Sequence, residues 1–126
     1  MQQELYKENI LELYRHPHNK REIEDATHKG EGVNPSCGDK ITFYLKLKDD
    51  RVEDVSFWGD GCAISMATVS MLTDKIKGLT INDLRAIAPG DIYNMLGVKI
   101  SPGRVNCALL GYEAMNHALF GSKASK

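Results

Sequence analysis

The chain has 126 residues, enough for one domain around one hydrophobic core. Hydrophobic residues make up 42% and charged residues 26%, the balance of an ordinary globular domain rather than a disordered or membrane chain. The formal net charge of -1 leaves no basic excess for phosphates, which excludes a general nucleic-acid binder.

Leu5, Ile10, Leu11, Leu13 and Tyr14 are spaced for a short amphipathic helix that ends before Pro17. His16-Pro17-His18-Asn19-Lys20-Arg21 follows as a polar, solvated turn, because two histidines alone do not close a metal shell. From Asp25 to Pro35 the pattern is weak, with at most a short strand around Gly32-Val33. From Asp39 to Asp49 it alternates, with Ile41, Phe43, Leu45 and Leu47 on one face and Thr42, Tyr44, Lys46 and Lys48 on the other. After a tight turn at Asp49-Asp50-Arg51, Val52, Val55, Phe57 and Gly59 continue as the second strand of an antiparallel hairpin, with Ser56 and Trp58 opposite.

The rest is helical. Ala63 to Lys77 places Ile64, Ala67, Met71 and Leu72 on one broad face and stops at Gly78. Thr80-Ile81-Asn82-Asp83 is a capped start for a short helix through Ala86 or Ile87, and Pro89-Gly90-Asp91 opens another toward Leu96. Ser101-Pro102 is an N-cap followed by a proline suited to the first helical position. Val105, Ala108, Leu109, Tyr112, Met115 and Leu119 then mark the last helix. The expectation is two to three strands and four to five helices in one domain over residues 1–121, with 122–126 as a flexible polar tail. No apolar run is long enough to cross a bilayer, and Met1-Gln2-Gln3-Glu4 lacks the plan of a signal peptide. A cytoplasmic protein is expected.

The cysteines carry the chemistry. Cys37 lies in Asn34-Pro35-Ser36-Cys37-Gly38-Asp39, Cys62 in Gly59-Asp60-Gly61-Cys62-Ala63-Ile64-Ser65, and Cys107 in Arg104-Val105-Asn106-Cys107. An odd count forbids a full disulfide set and fits a reducing compartment. A single cysteine is commonly a small buried hydrophobe. Glycines beside Cys37 and Cys62, however, mark turns rather than element interiors. All three cysteines fall in loops or at helix starts, where amides and the positive dipole end favour the thiolate. Asp39 adds a carboxylate. If the fold gathers Cys37, Asp39, Cys62 and Cys107, they make a four-coordinate shell of the kind Zn2+ or an iron–sulfur unit accepts. Arg104 or Lys40 would offset its negative charge, and Gly38 and Gly61 would let a partner loop approach. A Cys–His hydrolase is disfavoured, since no motif ties His28 or His117 to a cysteine.

These residues, in this order, resemble the U-type iron–sulfur cluster assembly scaffolds: IscU, SufU and the N-terminal part of NifU. The resemblance runs through Asn34-Pro35-x-Cys37-Gly38-Asp39, Gly59-x-Gly61-Cys62-x-Ile64-Ser65-x-Ala67 and Arg104-Val105-x-Cys107-Ala108-Leu109-Leu110. Tyr6-x-x-Asn9-Ile10-Leu11 and His16-Pro17-His18-Asn19 also fit. It implies a compact α+β domain, with a small antiparallel sheet packed against helices. It implies that Cys37, Asp39, Cys62 and Cys107 converge at one exposed end to hold a [2Fe-2S] cluster or zinc. It implies a cysteine desulfurase that delivers persulfide, with Cys107 the candidate sulfur acceptor beside Cys37 and Cys62. Apo iron–sulfur proteins would be the recipients, and a homo-oligomer around the cluster is a further implied partner.

Two departures stand out. Asn106 occupies a position where many IscU proteins carry histidine, and Gly97-Val98-Lys99-Ile100-Ser101-Pro102-Gly103 replaces the Leu-Pro-Pro-Val-Lys segment read by a dedicated chaperone. Two functions are therefore expected of the same four residues. One is a scaffold that assembles a [2Fe-2S] cluster and donates it. The other is a zinc-dependent sulfurtransferase of the SufU kind. The 45-position step from Cys62 to Cys107 is short for the insertion SufU usually carries, which favours the scaffold.

Overall fold

A computed structural model describes residues 2–34, 38–97, 100 and 102–120, with side chains from Glu8 onward. Helix α1 spans Gln2–Arg15. Three strands follow, β1 (His28–Asn34), β2 (Asp39–Lys48) and β3 (Arg51–Asp60). Helices α2 (Ala63–Ile76), α3 (Ile81–Arg85), α4 (Pro89–Leu96) and α5 (Val105–Phe120) complete the chain. The strands form one antiparallel sheet in the order β1-β2-β3. The fold is α+β, as expected.

The hairpin follows from its residues. Asp49 and Asp50 both take positive φ (54° and 64°), as a two-residue hairpin turn of right-handed twist requires. Lys48 pairs with Arg51, and a register shift between Lys46 and Leu47 leaves one extra residue, Glu53, on β3. Ile41, Phe43 and Leu45 of β2 and Val55 and Phe57 of β3 are fully buried. They meet Met66, Val69, Leu72 and Ile76 of α2 and Leu110, Ala114, Met115 and Ala118 of α5 in the main core. Each such large side chain contributes about 1.5–3 kcal/mol by leaving water.

β1 is longer than the short strand expected around Gly32-Val33. Its inward positions are Gly30, Gly32 and Asn34, so apolar alternation cannot reveal it. α5 imposes the glycines. A Cβ at Gly30 would stand 2.6 Å from the Ala114 carbonyl oxygen, and one at Gly32 2.6 Å from that of Leu110. The close approach also moves the buried face of α5. Gly111, Ala114 and Ala118 are fully packed, while Leu109, Tyr112 and Leu119 of the expected face are only half-buried. His117 Nδ1 donates to the Glu31 carbonyl and ties α5 to β1, a structural place for this histidine.

α2 is buried on two sides rather than on one face. Ala63, Ile64, Ala67 and Met71 pack with Ile10 and Leu13 of α1, while Met66, Val69 and Ile76 face the sheet. The turn after α1 keeps His16 and His18 exposed, as expected, and is also docked on α2. His18 Nδ1 lies 2.6 Å from Asp74 Oδ2, and Asn19 Nδ2 donates to Thr73 and Asp74. The chain then pairs with β3, where Phe57 exchanges backbone hydrogen bonds with Asn19 and Arg21. It runs on to Thr27, whose amide bonds Leu45. Ile23 of this crossing is buried, and so are Tyr44 and Ser56 on the outward positions of β2 and β3.

The short helices start as read. Thr80 and Asp83 exchange hydrogen bonds in a capping box, and Asp91 accepts from the Ala88 amide. α5 begins after a 3₁₀ turn at Pro102–Arg104, while the expected N-cap Ser101 lies outside the described residues. So do the 122–126 tail, Pro35, Ser36, Cys37, Val98 and Lys99. Among the described residues no helix is long and apolar enough to cross a membrane.

Candidate metal centre

Three connections meet at the sheet end opposite the Asp49-Asp50 turn. β1 ends there at Asn34, which pairs with Asp39 at the start of β2. β3 ends there too, and the Lys40–Asp60 pair sets Cys62 two residues past the sheet. α5 runs antiparallel to β1, with Ala118 beside Gly30 and Leu110 beside Gly32. One turn before Leu110, Cys107 therefore comes level with Asn34.

The donor atoms of Asp39, Cys62 and Cys107 all lie within 4.8 Å of one another. A tetrahedral ion with metal–sulfur bonds of about 2.3 Å holds its sulfur donors roughly 3.8 Å apart, so a small closure suffices. Thiolates suit zinc and iron–sulfur iron, and the carboxylate is a harder donor. These residues fit a metal or an iron–sulfur unit by spacing and by chemistry. Cys37, the fourth expected ligand, lies outside the described residues.

Each donor has a partner of its own. Cys62 is the N-cap of α2 with extended backbone (φ -72°, ψ 174°), yet its side chain caps nothing and is left to face the site. Its amide donates to Asp39 Oδ2 at 3.2 Å. The Asp39 carboxylate thus sits at the positive end of α2, where negative charge is stabilised. Cys62 Sγ lies 3.5 Å from Ser65 Oγ. Burial pushes the Cys62 thiol up, but hydrogen bonds from the Ser65 hydroxyl and amide, from Cys107 and from the Ile64 amide outweigh it. The thiol therefore titrates below its ordinary range. Cys107 is 7% exposed, and Asn34 Nδ2 donates to its sulfur at 3.8 Å.

Other expected site residues have different duties. Lys40 pairs with Glu31 at 3.4 Å, and Arg104 is exposed on the 3₁₀ turn. Gly61 answers an internal demand, since a Cβ there would lie 2.9 Å from Ser65 Cβ and 3.5 Å from Asp39 Oδ2. Gly38 has φ 74°, and among the described residues no atom lies within 4 Å of a Cβ built there. Sequence reasoning missed Asn34 and Ser65 as sulfur partners. Both stand inside the quoted motifs, and their polarity beside cysteine was the available signal.

Comparison with known proteins settles the kinship. The model of the NifU-like N terminal domain matches residues 5–125. The chain belongs to this family. It is 36% identical over 115 residues to the iron–sulfur cluster assembly scaffold protein IscU 1 of Archaeoglobus fulgidus, covering 91% of this chain and 74% of that one. It is also 36% identical over 128 residues to the zinc-dependent sulfurtransferase SufU of Bacillus subtilis, covering 88% and 86%. A crystal structure of FiSufU from Fervidobacterium islandicum, described as a candidate scaffold for the SUF system, superposes with a TM-score of 0.77. It shares 31% identity, over 89% of this chain and 94% of that one. Kinship with IscU and SufU is thus equally close for this NifU-like chain.

Proposed function

We propose that the chain is a scaffold on which a [2Fe-2S] cluster is built from iron and desulfurase-derived sulfur and then passed to apo acceptor proteins in the cytoplasm. The observation that carries this reading is the meeting of Asp39, Cys62 and Cys107 within 4.8 Å at one end of the sheet. Cys37 is the fourth ligand in this reading because of its motif, two residues before Asp39. Membership of the NifU-like family and the likeness to IscU scaffolds support it.

Sulfur enters by thiol–disulfide chemistry. A thiolate of this chain attacks the outer sulfur of the desulfurase persulfide, the S–S bond breaks, and the desulfurase thiolate leaves. An external two-electron reductant then takes the sulfane sulfur to sulfide. Cys107 is the acceptor expected from the motif, whereas the half-buried Cys62 is the more accessible of the two described cysteines. The carboxylate of Asp39 is the exchangeable ligand, because a hard donor holds iron–sulfur iron less well than thiolate does. A homo-oligomer would share the cluster between such ends.

A second reading is favoured by one observation, the equal likeness to SufU of Bacillus subtilis. In it, zinc occupies the same residues and a cysteine ligand takes up the sulfur. Anaerobic purification with a visible spectrum, metal analysis and acid-labile sulfide separates the two. Iron and sulfide in equal amounts are expected. One tightly held zinc without sulfide would support the transferase or a zinc-bound resting state, and failure of that protein to build any cluster when given iron and sulfur would overturn the scaffold reading.

A further inference from the structure

We propose that Asn34 is a positioning residue, whose side-chain amide fixes the Cys107 sulfur as a metal donor and couples it to the strand end that presents Asp39. The inference rests on the metal-site reading above and adds to it a residue outside the ligand set.

Asn34 fills the third inward position of β1, after Gly30 and Gly32. Those two face the α5 backbone and leave no room for a side chain. Asn34 has room, and what fills it is an amide only 4% exposed. An apolar side chain would pack there without the desolvation cost that a buried amide brings. The amide donates instead to Cys107 Sγ, 73 residues away in sequence. A hydrogen bond from N–H to a thiolate is charge-assisted, so it strengthens when the sulfur is ionised, as it must be to bind metal.

The backbone of the same residue organises the other donors. Its carbonyl accepts from the Gly38 amide at 2.8 Å and closes the 34–38 loop. Its register partner is Asp39, whose carboxylate is held by the Cys62 amide. Asn34 is therefore bonded both to the Gly38 amide just before Asp39 and to the sulfur from α5. Partners of this kind orient ligands, and losing one costs about 10–100-fold in metal affinity.

The test uses Co2+ as the probe on the full chain, since thiolate-to-cobalt charge-transfer bands report sulfur ligation. Affinity and band intensity would be measured for wild type, Asn34→Ala and Asn34→Asp, each alone and combined with Cys107→Ser. Asn34→Asp keeps the side-chain shape and removes the N–H donor. The expected result is about 10–100-fold weaker Co2+ binding for both single variants, with weaker thiolate bands. Little further loss is expected in the Cys107→Ser background, because the two residues act as one unit. Unchanged affinity and bands, or losses that add fully, would overturn the proposal.

If wild type itself gave no thiolate–cobalt bands, the metal-site reading would fail first and take the proposal with it. A lower thermal midpoint with unaltered cobalt bands would mean that Asn34 serves packing alone. One measurement needs no variant. The Asn34 side-chain NH2 resonances of the unaltered chain should shift as Zn2+ is added, and unmoved resonances would again overturn the proposal.

Discussion

Asp39 has two claims on it. Its carboxylate lies with the thiolates of Cys62 and Cys107, and it also accepts the Cys62 amide at the start of α2. A carboxylate that leaves the metal therefore has a partner waiting, which suits an exchangeable ligand. Asp39→Ala is expected to keep cluster binding and to slow transfer to an apo acceptor. Transfer from the variant as fast as from wild type would contradict this. The thiolates are less replaceable. Cys37→Ser, Cys62→Ser and Cys107→Ser should each lose most bound metal while staying folded, read by metal analysis beside circular dichroism. Full occupancy in any one of them would remove that residue from the ligand set. At this scale Asp39, Cys62 and Cys107, which the structure brings together, were already singled out in the sequence by the glycine beside Cys62 and by the helix starts at both cysteines. The partners Asn34 and Ser65 were not, since a buried amide or hydroxyl is assigned only when the atom it meets is known.

Secondary structure was legible wherever side chains carry the burial. β2 and β3 form as read, with Ile41, Phe43, Leu45, Val55 and Phe57 inward although Tyr44 and Ser56 opposite are buried too, and the Thr80–Asp83 box marks α3. β1 was half hidden because two of its three inward positions, Gly30 and Gly32, are glycines pressed against α5. The face of α2 was misread because α1 covers one side and the sheet the other, so no single stripe exists. The glycine contact gives a direct test. A Cβ at Gly30 meets the backbone of Ala118 and Ala114, which cannot rotate away, so α5 must shift. Gly30→Ala should lose about 1–3 kcal/mol or more in urea unfolding. It should also weaken metal binding, because α5 carries Cys107. A wild-type unfolding midpoint would contradict the close packing.

On the scale of the whole molecule, the sheet end opposite the hairpin turn gathers residues from three separate stretches of chain. Motif order foretold that meeting only through family resemblance, since spacing alone does not say that α5 runs back along β1. The crossing of residues 20–27 was likewise not legible, because that segment has no periodicity; backbone bonds at its ends and the ion pairs Arg21–Asp54 and Asp25–Lys46 hold it. α1 and its turn are docked on α2. This end is proposed to build a cluster and to give it away. The most direct measurement mixes the chain anaerobically with a cysteine desulfurase, cysteine, a thiol reductant and Fe2+, then adds an apo [2Fe-2S] ferredoxin and follows visible circular dichroism. The account predicts a cluster signal that first grows on this chain and then moves to the ferredoxin. Sulfur held as persulfide on a cysteine of a zinc-loaded chain, with no cluster formed there at any time, would contradict it.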